Sequence, residues 1–470
     1  MTSMTIKTEL FPYQRDAVEK LRHKCIGALY MEMGTGKTRT TLELIKLRYD
    51  AGKINAVLWL CPCSVKQNLK YDIMYHCGEK PDWIVIKGIE SIAGSDRLYL
   101  KLLEFVQEYN VYLIVDESNL VKNPFAKRTQ RITELSRRCK YKMILNGTPV
   151  SKNEADMFAQ WYILDWRVLG YKSYYSFAAN HIEYREIRTT NGTKIKTDQI
   201  AHVLDVDYLT EKIKPFSYQI KKDDCMKLPA KNYMNQYFYM TEGQCYEYDN
   251  VKQRYLMDIN EFRPETIYQL FSALQHVTAG RRVLSTPTKR MQTKDMFEDW
   301  SDNPRLMCLK GTIEDEIGEE QCIIFAKYKR EIDEIEMMLC ELGYTYAEFT
   351  GRLNQKKRQE SIGKFRNGTQ FLIANKMCGA YGLNLQFCRN IIFYDNDFDF
   401  ATRSQAEDRV HRIGQMKDVY IYDIVAMNTI DTFICDNLDS KDSLVESFKR
   451  YLEIEKKKLK KKKKKKKDCE

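Results

Sequence analysis

The chain has no run of eighteen apolar residues, so the sequence predicts no helix that spans a membrane. Its opening stretch, MTSMTIKTELFPYQ, lacks a basic region followed by an apolar core. That pattern predicts no secretory signal and a soluble protein inside the cell, in cytoplasm, nucleoid or nucleus. Its 14 cysteines include no C-x-x-C, the closest pair being Cys61 and Cys63, which argues against a zinc ribbon or a dithiol redox site. Cys322 in QCIIFA and Cys388 in LQFC lie in apolar runs, so the cysteines read as reduced core residues. The 6 histidines, His411 among them, show no metal-ligand spacing, and no repeat of solenoid period occurs.

Charge of one sign is also scarcer than it first looks. The net charge is +11, but lysines 456–458 and 460–467 alone supply eleven positive charges, of which Asp468 and Glu470 offset two. The rest of the chain is nearly neutral, so any affinity of its folded part for a polyanion must come from a local cleft. The lysine tail can bind phosphates without sequence preference through counterion release, can serve as a localisation signal, or can simply be solvated.

What is present is a rhythm. At 470 residues the chain has room for two or three domains. Runs rich in β-branched and aromatic residues alternate with stretches of helical period: IGALYM, INAVLWLCP, DWIVIKG, VYLIVDE and YKMILNG, then QCIIFAKY, YTYAEFTG, TQFLIAN, RNIIFYD and VYIYDIV. Near-continuous apolar runs of this kind predict parallel strands covered on both faces, in two α/β units. Residues 1–165 form the first unit and 304–448 the second. Between them, 166–303 is charged, tyrosine-rich and expected to be mostly helical insertions and a connection. The lysine-rich residues 449–470 are expected to be disordered beyond a short charged helix.

The segment YMEMGTGKTRTTLELI follows the first predicted strand and opens a helical stretch. Gly34, Gly36, Lys37 and Thr38 match the end of the phosphate-loop pattern G-x-x-x-x-G-K-[ST], although Met31 stands where its first glycine belongs. In a strand–loop–helix context, loop N–H groups can cradle phosphate oxygens. Lys37 can reach the β- and γ-phosphates of ATP and the Thr38 hydroxyl can hold Mg²⁺. Met33, Thr35 and Arg39 complete the expected contact set. A second element, VYLIVDES, ends a buried strand in Asp116 and Glu117. At the carboxyl end of a strand neighbouring the loop, Asp116 can hold Mg²⁺ while Glu117 orients and deprotonates the attacking water.

Taken in order, Phe11-Pro12-Tyr13-Gln14, MEMGTGKT, Asp116-Glu117, LNGTP at 145–149 and QAEDRVHRIGQ at 405–415 resemble the motifs of the Swi/Snf-type ATPases, a branch of the superfamily-two helicases. The resemblance runs from Phe11 to about Phe433, and it includes FTGRLNQKKRQESIGKF and the LP-x-K segment that ends in Lys231. It implies two RecA-like parallel-sheet lobes in tandem, a Gln14 that reads the adenine edge, and a first loop glycine that is often absent. It also implies that Arg409 and Arg412, with Gln405 nearby, reach ATP held by the first lobe as arginine fingers. If their segment is helical, the two arginines share one face. Ser118-Asn119 follow the acidic pair where the family has x-His, and Phe398-Asp399-Phe400 replace Trp-Asn-Pro, both of which bear on coupling.

The same resemblance implies a nucleic-acid grip by Lys87, Gly88, Thr148, Lys376, Gly379, Gly382 and Asn384. Glycines there would let backbone N–H groups approach phosphates without reading bases. For each of these residues a turn glycine or a solvated lysine is an equally good reading. The function implied is an ATP-dependent translocase on duplex DNA that displaces or remodels what is bound there, with a protein substrate or recruiter as a further partner. The alternatives are a strand-separating DNA or RNA helicase, for which the sequence shows no evident separation hairpin, and a nucleic-acid scaffold with an inactive ATP site.

Overall fold

The structure, a computed structural model, describes residues 4–147, 154–188, 194–225, 228–258, 264–285, 291–375, 384–397, 400–437, 448–454 and 456. All ten apolar runs form strands. In the first unit these are β1 (Ile26–Met31), β2 (Ala56–Cys61), β3 (Ile84–Gly88), β4 (Val111–Val115) and β5 (Tyr141–Asn146). A hairpin of β6 (Ile182–Arg188) and β7 (Lys194–Val203) follows, then β8 (Ser217–Ile220). The sheet is parallel throughout, in the order β3-β2-β4-β5-β1-β8.

Both faces of this sheet are buried, which is why its strands are apolar without alternation. Leu58, Leu113 and Ile144 enter one core cluster, and Trp59, Ile114 and Leu145 the other. On the second face α1 (Pro12–Leu21) and α2 (Lys37–Asp50) cover the sheet. Buried Arg48 of α2 donates to the carbonyls of Leu21 (3.1 Å) and Lys24 (2.8 Å), tying the two helices together.

The second unit begins at Leu228. It contains β9 (Lys231–Phe238), a short hairpin of β10 (Arg281–Val283) and β11 (Thr293–Asp295), then β12 (Cys322–Phe325), β13 (Tyr346–Phe349), β14 (Phe371–Ala374), β15 (Asn390–Phe393) and β16 (Val419–Ala426). Its six-stranded parallel sheet has the order β13-β14-β12-β15-β16-β9. Ile324, Ile392 and Ile424 pack in one cluster on this sheet. A separate helical core joins helices Glu242–Asp258 and Pro264–Thr278 to Ile430, Ile434, Phe448 and Leu452.

Residues 166–303 divide at Lys227/Leu228, and besides helices each part contributes a strand to one of the two sheets. β8 is only four residues long. In β9, Tyr233, Asn235 and Tyr237 are exposed while their neighbours are partly covered, the pattern of an edge strand with one wet face. Neither segment offers the continuous apolar run that marks a central strand. The end of the chain also packs further than its charge suggests, because Phe448 and Leu452 are fully buried; residues 457–470 lie outside the described residues.

Among the described residues no helix is long and apolar enough to cross a membrane. Described cysteines are all free, but only some are core: Cys61, Cys77, Cys139, Cys322 and Cys388 are buried, whereas Cys25, Cys63, Cys245 and Cys340 are exposed. Of the exposed ones, Cys63 lies in a turn and Cys245 and Cys340 on helices.

Candidate active site

Because every strand of the first sheet runs the same way, the segments after β1, β2, β3, β4 and β5 emerge at one edge. Parallel α/β sheets carry their ligands at that carboxyl edge. The loop after β1 depends on two glycines with left-handed backbone, Gly34 (φ 80°) and Gly36 (φ 84°), the second capping α2. Lys37 and Thr38 open the helix, so their N–H groups belong to its unsatisfied first turn.

The loop is braced from within and from α1. The Thr35 hydroxyl donates to Glu32 O at 2.7 Å. Thr35 O in turn accepts from the Tyr13 hydroxyl and from Gln14 Nε2, both at 3.0 Å. Gln14 Oε1 accepts from Phe11 N at 3.0 Å, and Gln14 is 1% exposed. A Cβ at Gly36 would lie 2.2 Å from Gln14 Nε2, which explains why glycine stands there. In this arrangement Gln14 supports the loop with one amide N–H and one lone pair of its oxygen, leaving its second N–H and second lone pair for adenine. Lys37 Nζ donates to Met31 O at 2.8 Å, at the position where the loop pattern has lost its glycine.

Arg39 is placed differently from expectation. Its guanidinium donates to Thr8 O (3.1 and 2.8 Å) and pairs with Glu43 (2.8 Å), so the side chain anchors the chain before α1 instead of facing the loop. Only its backbone lies in the first turn of α2. Glu32 accepts from Lys222 N at 2.8 Å, which fixes the segment after β8 beside the loop.

Asp116 and Glu117 close β4 on the same edge. β5 lies between β4 and β1, so the acidic strand is the loop strand's second neighbour and not its first. Burial, with the adjacent Glu117 charge, pushes the Asp116 carboxyl well above the ordinary aspartate range, and the Lys37 ammonium pulls it partly back. Glu117 has a left-handed backbone (φ 48°, ψ 56°), a strained conformation for a residue with a side chain, costing on the order of 1–3 kcal/mol.

Two contacts hold that turn, both between residues more than thirty positions apart and invisible to local pattern. The Ser118 hydroxyl donates to Gln160 Oε1 at 2.5 Å, both residues being fully buried. Lys122 pairs with Asp156 at 3.0 Å, while Gln160 Nε2 donates to Asp156 O at 3.0 Å. The helix Met157–Leu169 thereby grips the residues immediately after the acidic pair. Ser118, at the position the family pattern leaves open, makes this bond, next to the Asn119 that stands where the family has histidine.

Lys87 and Gly88 end β3 at the same edge, with Gly88 beside Cys61 in the register. Gly88 is required by close packing: a Cβ there would lie 2.2 Å from Cys63 Sγ. Thr148, Lys376, Gly379 and Gly382 lie outside the described residues, as do Phe398 and Asp399.

In the second unit the helix Phe400–Glu407 carries Gln405, which is half-buried. The helix ends there, so Arg409 and Arg412 occupy turns and do not share a helix face. The turn is tied back by Leu385 N to Arg409 O (3.0 Å) and by Gln415 N to Arg412 O (3.0 Å). Arg409 is 7% exposed. Arg412 donates to Asn384 Oδ1, joining residues that the sequence assigned to two different ligands.

Beneath the turn lies a buried ion web. Arg403 pairs with both oxygens of Asp423 on β16, with Glu407 (3.1 Å) and with Asn396 (2.6 Å). Lys231, expected from the LP-x-K segment, pairs with Glu407 at 2.9 Å, and the Tyr233 hydroxyl donates to the same oxygen at 2.9 Å. The carboxylates Asp423 and Glu407 hold the Arg403 guanidinium firmly charged despite its burial. Two other carboxyls, Glu331 and Asp395, lie close together, and burial followed by the Asp395 charge pushes Glu331 well above its ordinary range. Among the described residues no group of three or more His, Cys, Asp or Glu could hold a metal ion.

Three family models match the chain. Residues 82–289 match the model of the SNF2-related domain, residues 305–414 the helicase conserved C-terminal domain, and residues 7–151 the type III restriction enzyme res subunit. A relative from Mycoplasma pneumoniae, described as an uncharacterized ATP-dependent helicase, is 26% identical over 93% of this chain and 42% of its own length. The chromodomain-helicase-DNA-binding protein 1-like of Danio rerio is 23% identical over 93% of this chain and 44% of its own. The chain thus spans less than half the length of these relatives. The solved Sulfolobus solfataricus SWI2/SNF2 ATPase core in complex with dsDNA is 22% identical, covering 95% of this chain and 94% of that one with a TM-score of 0.39. With its ordered motifs on two six-stranded parallel sheets and family matches along both, the chain belongs to the SNF2-related, Swi/Snf-type family of helicase-like ATPases.

Proposed function

We propose that the protein hydrolyses ATP and couples hydrolysis to movement along duplex DNA, displacing or remodelling what is bound there. The observation that carries this reading is the Asp116-Glu117 pair on the same sheet edge as the Lys37 loop, close enough for the Lys37 charge to act on Asp116. In the reaction Lys37 leaves Met31 O to neutralise the β/γ-phosphate oxygens. Glu117, held by the Ser118 turn, takes the proton of the attacking water. Arg409 and Arg412, contributed by the second unit, offset charge that develops on the transferring phosphoryl group.

The donor set fits Mg²⁺. Thr38 offers a hydroxyl in the first turn of α2 and Asp116 a carboxylate whose burial makes its charge costly without a cation nearby. When bound there, Mg²⁺ would supply charge neutralisation at the phosphates. Duplex DNA as the track is supported by the family and by the DNA-binding description of the Danio rerio relative. Lys87, Gly88 and Asn384, with Thr148, Lys376, Gly379 and Gly382, are the residues proposed to hold its backbone.

One observation favours a second reading, the strand-separating helicase: β6 and β7 form an antiparallel hairpin within the first unit. Asn191-Gly192 between two alternating stretches was its signal in the sequence. The deciding experiment measures ATP turnover with duplex DNA, single-stranded DNA and RNA side by side, together with release of a labelled strand. Stimulation chiefly by duplex without strand release supports the translocase. Stimulation by single strands with strand release favours the helicase.

A further inference from the structure

The first unit has a groove of about 440 Å³ between the helix Lys127–Ser136, the helix Met157–Leu169 and the segment that starts the helix Tyr174–His181. Its aromatic lining is Phe125, Phe158, Tyr162, Tyr174 and Tyr175. Phe125 is 53% and Tyr175 74% exposed, although large aromatic surface is normally covered. Their rings lie 5.8 Å apart, and Phe125 also meets Tyr174 edge-on at 5.4 Å.

The rings are set in place by the backbone. Phe125 N donates to Asn123 Oδ1 at 2.9 Å in the Asn123-Pro124 turn, and Ser173 Oγ caps the next helix by accepting from Ser176 N at 3.2 Å. The Tyr162 hydroxyl donates to Lys172 O at 3.1 Å, which fixes the segment between them. The groove is therefore built from rigid elements, so a ligand would pay little ordering cost there.

The rest of the lining decides what fits. Among the described residues no leucine, isoleucine, valine or methionine lines it. Amphipathic helices seek such aliphatic pockets. Gln130, Thr129, Thr133 and Ser173 offer donors and acceptors, and Lys172 and Arg137 offer cations, against one acid, Glu134. Arg137 pairs with Glu134 at 3.0 Å, and Lys172 lies 5.2 Å over the Trp166 ring. The flanking sequence from 122 to 142 carries eight Lys or Arg and that same single Glu. Flat aromatic faces for bases, small polar groups for base edges and cations for phosphates are the combination used by single-strand binding surfaces.

We propose that this groove binds unpaired nucleotides of a single-stranded segment, a second nucleic-acid site apart from the one assigned to Lys87, Gly88 and Asn384. Bases stack on Phe125 and Tyr175, and Lys172 meets the neighbouring phosphate. Recognition there is by stacking and charge, so it tolerates any base. The proposal goes beyond the duplex translocase reading and stands whether or not ATP is hydrolysed.

The test uses the full chain and a fluorescent twelve-nucleotide oligothymidine, with binding read by anisotropy. The double variant Phe125→Ala/Tyr175→Ala should weaken oligothymidine binding about tenfold or more, since each stacked base contributes strongly. Duplex binding and basal ATPase activity should be unchanged, and Phe125→Tyr should retain binding. Lys172→Glu should lower the salt slope of oligothymidine binding by about 0.7, the value of one phosphate contact on a single strand. Unchanged oligothymidine affinity in the double variant, with its melting temperature intact, would overturn the site. So would groove-dependent binding of an acidic proline-rich peptide that leaves oligothymidine binding untouched, since the groove would then belong to a protein segment. Lys37→Ala separates the two readings: it should remove hydrolysis while leaving oligothymidine bound.

Discussion

The two units present the same parallel edge and solve it by opposite means. In the first, the edge is shaped largely by backbone: left-handed Gly34 and Gly36, the open first turn of α2, and a left-handed Glu117. In the second, the arginine turn after Glu407 has little regular structure, and charged side chains hold it, with Arg403 at the centre among Asp423, Glu407 and Asn396. A glycine loop costs little to build and tolerates few substitutions because of its geometry. A buried ion web costs desolvation and tolerates few substitutions because each missing partner strands a charge.

That contrast can be broken first at the chemistry. Lys37→Ala should reduce ATP turnover to background, whereas Arg412→Ala should lower turnover on the order of a thousandfold while nucleotide binding persists. A rapid-quench assay beside equilibrium nucleotide binding checks both, and equal loss of binding in the two variants would erase the distinction. Next in size is the frame of the second unit. Arg403→Ala leaves Asp423 without its cation and Glu407 with Lys231 alone, and should destabilise the protein by about 3–5 kcal/mol, read by denaturant unfolding.

A smaller effect is expected at the grip on the acidic turn. Gln160→Ala removes the partner of the Ser118 hydroxyl and should cost about 1–3 kcal/mol, with turnover falling more than nucleotide affinity because Glu117 loses its support. An unchanged rate would make the Ser118–Gln160 bond purely structural. The smallest concerns pH. Glu331 has a folded pKa raised above its unfolded value, so the folded state keeps a proton that the unfolded chain gives up. Its contribution is present at low pH and declines as pH rises above the ordinary glutamate range. Glu331→Gln should flatten that decline in unfolding free energy, with no change in slope elsewhere.

Much of this was legible beforehand, for identifiable reasons. Central strands such as VYLIV and CIIF are apolar on both faces because helices cover both, and that writes itself into sequence as an unbroken run. The edge strands β8 and β9 carry no such run, one being short and the other wet on one face, so the middle region read as helical. Nor do β6 and β7 carry an unbroken apolar run. Gln14 was recognised by motif, but only the fold shows its amide braced between Phe11 and Thr35.

What the sequence determined by itself was local: the glycines whose backbone conformation the loop needs, the lysine and threonine after them, and the acidic pair at the end of a strand. These follow from covalent chemistry and from spacing along one chain. The tertiary structure decided everything that depends on partners distant in sequence. It turned Arg39 away to Thr8 and ended the helix at Glu407 before either arginine. It also set Ser118 against Gln160, 42 residues apart. A buried polar group must find whichever partner the packed chain brings to it, and that partner is fixed by topology, which no short stretch of sequence contains.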